Sequence, residues 1–167
     1  MIASFKSEKL SPKLATSSAV LFIVGPTAVG KTRLTVALAQ RFNGEIISAD
    51  SRQVYRHMDV GTGKPSPEER AQARHHLLDI LGPDEDFGVA TFLSLAQLAI
   101  LEIEARGRVP IVAGGTGQYI WALIEGWQVP EVPPDPAFRS QKQGEAELHG
   151  PEFVHRQLKE ADPEKAG

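Results

Sequence analysis

Eight consecutive residues, Gly25-Pro26-Thr27-Ala28-Val29-Gly30-Lys31-Thr32, fit GxxxxGK[ST], the pattern of a loop that wraps a polyphosphate. The spacing has a physical reason. Glycine at Gly25 and Gly30 permits backbone conformations closed to other residues, so loop amides and the start of a following helix can converge on one anion. Lys31 adds a positive charge, and the Thr32 hydroxyl is placed to reach a Mg²⁺ ion. A second polar cluster runs Asp50-Ser51-Arg52-Gln53-Val54-Tyr55-Arg56 and on to Gly61-Thr62-Gly63-Lys64-Pro65. Its side chains suit a substrate-reading loop, although a solvated connection has the same composition, and both readings stand at this point.

Chemistry of this kind needs a scaffold that holds the loops in place. Ala19-Val20-Leu21-Phe22-Ile23-Val24 reads as a buried strand feeding the phosphate loop, and Leu34, Leu38 and Phe42 repeat at helical spacing after it. Glu45-Ile46-Ile47-Ser48-Ala49 is a second strand ending at Asp50, and Leu77-Leu78-Asp79-Ile80 a third short apolar run. Residues 89–106 form a broad apolar helix with Gly107 as its cap. Val109-Pro110-Ile111-Val112-Ala113 is a further strand, ending in Gly114-Gly115-Thr116-Gly117, and a helix over 118–125 follows, capped by Gly126. The alternation predicts an α/β fold, a P-loop NTPase-like parallel sheet flanked by helices. Ligands in such sheets gather at the carboxyl ends of the strands, so the phosphate loop, Asp50 and Thr116 should face one cleft.

Residues 1–18 lack a continuous apolar core and read as a disordered leader, residues 19–127 as the core. Pro130, Pro133, Pro134 and Pro136 mark a linker. Two polar helical stretches follow, about 136–148 and 151–160, with too few apolar residues to make a core alone. Residues 128–167 thus read as a linker and the start of a helical module. The formal net charge of −3 gives no global attraction to nucleic acid, and the absence of cysteine excludes a thiolate metal site or disulfide framework. A cytoplasmic protein with no membrane segment is expected.

Several residues carry two readings. Asp50 suits a general base, a turn cap or a Mg²⁺ ligand. Thr116 suits a substrate contact or the N-cap of the helix after it. Arg52 or Arg56 could hold phosphate, and the Gln53 amide could pair with a base edge. His75-His76 is not expected to bind metal, since neighbours on a strand point to opposite faces. Tyr119, Trp121 and Trp127 read as packing residues, and Asp84-Glu85-Asp86 as a solvated turn. The phosphate loop alone also suits a small-molecule kinase using ATP.

Taken together, GPTAVGKT, ADSRQVYRHMDVGTGKP, HHLLDI and VPIVAGGTGQYIWALIEG, in this order and spacing, resemble the tRNA dimethylallyltransferase family. The resemblance implies transfer of a dimethylallyl group from dimethylallyl diphosphate to N6 of the adenosine 3′ of the anticodon, assisted by Mg²⁺. It implies a P-loop-type core with an inserted helical module for tRNA. Carried onto this chain, it makes Asp50 the general base and Thr27, Gly30, Lys31 and Thr32 the diphosphate cradle, within a loop running from Gly25 through Pro26, Ala28 and Val29. Lys31 and Thr116 join Asp50 as candidate catalytic residues. Asp50, Ser51, Arg52, Gln53, Thr116 and Arg139 fall at tRNA-contacting positions, and Thr32 at the metal. The partners implied are a tRNA anticodon stem-loop and the prenyl donor, with the protein a monomer. Against that pattern the sequence stops at Ala166-Gly167 inside the inserted module, without the family's later arginine-rich motif. The expectation is therefore an N-terminal portion, with an inactive truncation among the readings and with apolar surface left exposed.

Overall fold

The computed structural model describes residues 19–129, 135–164 and 166. The expected leader over 1–18 and the linker prolines Pro130, Pro133 and Pro134 lie outside the described residues. The chain divides into two compact units, Met1–Pro130 and Glu131–Gly167.

In the first unit, four strands form one parallel sheet: β1 (Leu21–Val24), β2 (Gly44–Ser48), β3 (His75–His76) and β4 (Val109–Gly114), in the order β1-β4-β2-β3. The helices are α1 (Lys31–Phe42), α2 (Pro67–Gln72), α3 (Val89–Ala105) and α4 (Gly117–Glu125). Parallel strands need a crossover, and helices supply it while covering the sheet. Successive strand residues accordingly serve two cores. Ile46 and Ile111 pack with Val36 and Ala39 of α1. Ile47 and Val112 pack with Phe92, Ile100 and Ile103 of α3 and Ile120 and Leu123 of α4. Full burial of each large apolar side chain contributes roughly 1.5–3 kcal/mol.

The third strand departs from expectation. The ladder runs through His75–His76, not residues 77–80. Leu77 and Asp79 both have positive φ (58° and 55°), so the apolar run turns back instead of extending. It is used as a side wall: Ile80 N donates to Val54 O (2.8 Å) and Arg56 N to Leu81 O (2.8 Å). Helix α2 was not foreseen, though Ser66-Pro67-Glu68-Glu69 carries its signal. The Ser66 hydroxyl accepts from Glu69 N and the Glu69 carboxylate accepts from Ser66 N, a complete capping box with proline at the first turn.

Glu45, 1% exposed, anchors the amino edge of the sheet. Arg106 donates to both its oxygens (3.1 and 2.8 Å), His76 Nε2 lies 2.6 Å away, and Arg108 and Arg74 lie at 3.4 and 3.7 Å. Burial pushes the Glu45 carboxyl up, but the hydrogen bonds from Arg106 and His76 and their charge outweigh it and leave the group below its ordinary value.

The second unit is a helical pair, α5 (Pro136–His149) and α6 (Pro151–Ala161), joined at Gly150. Asp135 caps α5 by accepting from Phe138 N (2.9 Å). Neither helix has a buried residue. Polar links hold the pair instead: Lys142 and Gln157 converge on Glu145, whose carboxyl is held down to about 2 by hydrogen bonds from Gln141, Lys142 and Gln157.

Two predictions follow from the first unit. Glu45→Gln should cost about 3 kcal/mol, the low end for breaking a buried ion pair. Because the folded pKa is depressed, the contribution of Glu45 is complete above its unfolded value near 4.5 and is lost as the pH falls through the lower folded value. Urea melts across this range should therefore show a shallower acid loss in Glu45→Gln; an unchanged slope would refute the linkage. Separately, a Cβ at Gly114 would sit 2.1 Å from Ala49 O, which is backbone. Gly114→Ala should destabilise by about 3 kcal/mol or more, read from the same melts.

Candidate active site

The carboxyl ends of β2 and β4 and the loops after β1 and β2 build one cleft of about 290 Å³. Its lining includes Thr27, Ala28 and Gly30 from the first loop with Lys31 and Thr32 at the start of α1, Ser48 at the end of β2 with Asp50 and Gln53 from the loop after it, and Gly114 at the end of β4. Seven residues singled out from sequence thus share it. Gly25, Pro26, Val29, Ser51, Arg52 and Thr116 stand outside the lining, and Arg139 belongs to the second unit, exposed in the first turn of α5.

The phosphate loop has the expected geometry with one correction. Positive φ falls on Gly30 (87°) and on Ala28 (67°), not on Gly25. Gly30 is also the N-cap of α1 and offers no side-chain acceptor, so the first amides of the helix stay open to an anion. Lys31 Nζ donates to Pro26 O (2.5 Å), which folds the lysine over its own loop.

The Asp50 turn is fixed from three sides. Asp50 Oδ1 accepts from Arg52 N (2.9 Å) and Gln53 N (3.4 Å), while Oδ2 has no partner among the described residues. Ser51 N donates to Thr116 Oγ1 (3.0 Å). Thr116 makes no side-chain cap on α4, so its hydroxyl braces the second loop rather than capping its own helix. Ala49 N donates to Ala113 O (2.8 Å) and Thr116 N to Ala49 O (3.2 Å), extending the β2–β4 contact past the strand ends.

Two side chains expected to meet a ligand are spent on the protein. Gln53 accepts from Ser48 Oγ (3.0 Å) and donates to Thr62 O (3.2 Å) and Gly63 O (3.0 Å), so its amide is engaged within the loop. Arg56 donates to Asp79 O (3.0 Å) and Ile80 O (2.7 Å). Arg52, by contrast, is exposed, with no side-chain partner among the described residues.

No sequence pattern singles out Ser48 or His75 as a site residue, yet both line the cleft. His75 Nδ1 lies 2.9 Å from Ala73 O, a carbonyl that can only accept, so Nδ1 carries the proton and Nε2 is left as an acceptor. Burial pushes its pKa down, which keeps the ring neutral. Its neighbour His76 turns to Glu45 on the opposite side, as strand alternation requires. Tyr119 is buried, stacked on Phe92 at 4.5 Å, and donates to Phe87 O (3.2 Å), the packing role expected. Trp121 is 57% exposed and Trp127 42%, so neither is the packing residue anticipated from sequence. Among the described residues no three His, Cys, Asp or Glu side chains group as a metal cluster, and no helix is long and apolar enough to cross a membrane.

Comparison with known proteins agrees with this arrangement. The family model for IPP transferase matches residues 53–167. The tRNA dimethylallyltransferase of Chloroflexus aurantiacus is 58% identical over 144 residues, covering 86% of this chain and 49% of that protein. Its counterpart in Roseiflexus castenholzii is 54% identical, covering 86% and 47%. Among solved structures, the tRNA isopentenylpyrophosphate transferase of Bacillus halodurans is 45% identical with a TM-score of 0.66, over 90% of this chain and 50% of that one. A eukaryotic dimethylallyltransferase acting on tRNA is 33% identical with a TM-score of 0.74, over 90% and 37%. The chain therefore spans about half the length of the curated relatives it matches, and it belongs to the IPP transferase family.

Proposed function

We propose that this chain carries the donor site and the general base of a tRNA dimethylallyltransferase. The observation that carries the reading is the placement of Asp50 in the same cleft as Lys31 and Thr32, with one carboxylate oxygen tied to the loop and the other unengaged. An adenine N6 amine is a weak nucleophile because its lone pair is delocalised into the ring. Asp50 Oδ2 takes its proton as nitrogen bonds to the allylic carbon. Such base assistance contributes about 10²–10⁴-fold. As the C–O bond to diphosphate breaks, charge grows on the departing oxygen, and the open amides of α1 with Lys31 stabilise it.

The donor set fits Mg²⁺. The Thr32 hydroxyl is a hard oxygen ligand beside the phosphate loop, and Mg²⁺ commonly takes only one or two protein oxygens alongside substrate phosphates. When bound, the ion would neutralise diphosphate charge. A kinase reading is disfavoured by the end of β4, where Gly114 is pressed on Ala49 O and leaves no space even for a Cβ. The acid of this cleft comes from the β2 loop instead.

Arg52 and Arg139, both exposed, are the cations offered to RNA phosphate. The Thr116 hydroxyl, already accepting from Ser51, still has its own proton to donate toward a nucleotide. Gln53 shapes the pocket through its loop bonds. The tRNA anticodon loop must release its adenosine from the stack to enter such a cleft. Residues 136–161 are read as the beginning of the tRNA module, and the enzyme as a cytoplasmic monomer.

Asp50→Asn keeps the Oδ1 acceptor of the turn and removes the base. In this chain joined to the C-terminal half of the Chloroflexus aurantiacus relative, prenyl transfer to an anticodon stem-loop should fall about 10²–10⁴-fold. Affinity for dimethylallyl diphosphate should hold. Undiminished transfer by Asp50→Asn would remove the base assignment. Lys31→Ala should weaken donor binding at least about tenfold, as expected for a lost charge-assisted contact; calorimetry with the donor checks it.

A further inference from the structure

A buried lysine stands just outside the cleft and does no chemistry there. The side chain of Lys64 is 3% exposed, and its ammonium uses all three donors: Tyr55 O (2.6 Å), Asp59 Oδ1 (2.8 Å) and Asp79 Oδ1 (2.6 Å). Asp79 is in turn held by Arg70 Nη1 at its other oxygen (2.6 Å). Burial pulls the lysine pKa down, but its hydrogen bonds to the Asp59 and Asp79 carboxylates outweigh it and raise the value, so the charge persists. Replacing a buried ion pair by apolar side chains is often neutral or stabilising, so an ionic lock here asks for a reason other than stability.

The reason lies in the backbone on either side of it. Gly63 and Pro65, the neighbours of Lys64, both line the cleft. Gly63 has φ of +63°, and a Cβ built on it would stand 3.4 Å from the Thr27 methyl group. Residues 58–63 are tied internally by Thr62 Oγ1 donating to Met58 O (2.8 Å) and to the Asp50 turn by the two bonds from Gln53. The segment is thus a strap: Gln53 holds it from the cleft side and Lys64 from behind, and its Gly63 passes beside Thr27 of the phosphate loop.

We propose that Lys64 is a positioning residue that seats the 58–65 strap against Thr27 and so shapes the wall of the phosphate-binding cleft. The functional consequence rests on the diphosphate reading above; the seating itself does not. A compact ammonium can reach three acceptors in three directions, which neither a planar guanidinium nor an apolar chain reproduces.

The test uses the whole 167-residue chain, with inorganic diphosphate as the probe. In the wild type, an NMR cross-peak should join Gly63 Hα to the Thr27 methyl. Lys64→Met should lose that cross-peak while signals of Ile47 and Val112 stay in place, and its diphosphate Kd should rise about tenfold, the scale of a small misplacement. Glu45→Gln is the control: it lowers stability at the far edge of the sheet and should leave Kd unchanged, so a general loss of stability cannot mimic the effect. If Lys64→Met does not fold, Asp59→Asn removes only the exposed leg of the lock, and a Kd rise of about threefold with unchanged Tm is then expected. A surviving cross-peak and unchanged Kd in Lys64→Met, or an unchanged Kd in Asp59→Asn, overturns the proposal. A cross-peak that depends on Lys64 in a chain without affinity for diphosphate upholds the seating and refutes the diphosphate reading.

Discussion

The contact between the ends of β2 and β4 is the constraint on which the cleft depends. The two backbones come so close that Gly114 has no space for a side chain beside Ala49 O. The strands then stay joined beyond their ends through Ala49 N to Ala113 O, Thr116 N to Ala49 O and Ser51 N to Thr116 Oγ1. Asp50 sits inside that seam. Its position relative to the phosphate loop is therefore set by sheet register, which a buried core on both faces makes costly to shift. Gly115, whose added Cβ would stand 3.3 Å from Gly25 O, carries the same constraint to the first loop. Few degrees of freedom remain between carboxylate and cradle.

Charge is sorted along the sheet. At the amino edge, Glu45 gathers Arg74, His76, Arg106 and Arg108. At the carboxyl edge, Lys31 meets the open amides of α1. One end spends its cations on a buried carboxylate; the other keeps donors for a ligand. This division explains how a chain with net negative charge can still offer a local site for an anion.

The strands and long helices were legible because their apolar periodicity is unambiguous, and the phosphate loop because glycine and lysine at fixed spacing have one common physical use. The Asp50 cluster was legible as polar residues after a buried strand, but which side chains face the ligand was not. Gln53 and Arg56 look ligand-ready in a linear sequence, yet backbone carbonyls far along the chain take their donors. Lys64 and Asp79 escaped for the same reason: their partnership spans 15 residues and a turn with positive φ that no local pattern announces. The residue type of Trp121 suggests packing, while the face of α4 on which it falls leaves it exposed.

On the proposed function, the phosphate loop and the Asp50 turn serve one ligand. Paramagnetic broadening by Mn²⁺ bound with dimethylallyl diphosphate, recorded on the intact chain, probes both at once. The amide signals of Gly30, Lys31 and Thr32 and those of Ser51, Arg52 and Gln53 should broaden together. Broadening confined to the phosphate loop, with the Asp50 turn untouched, would contradict it.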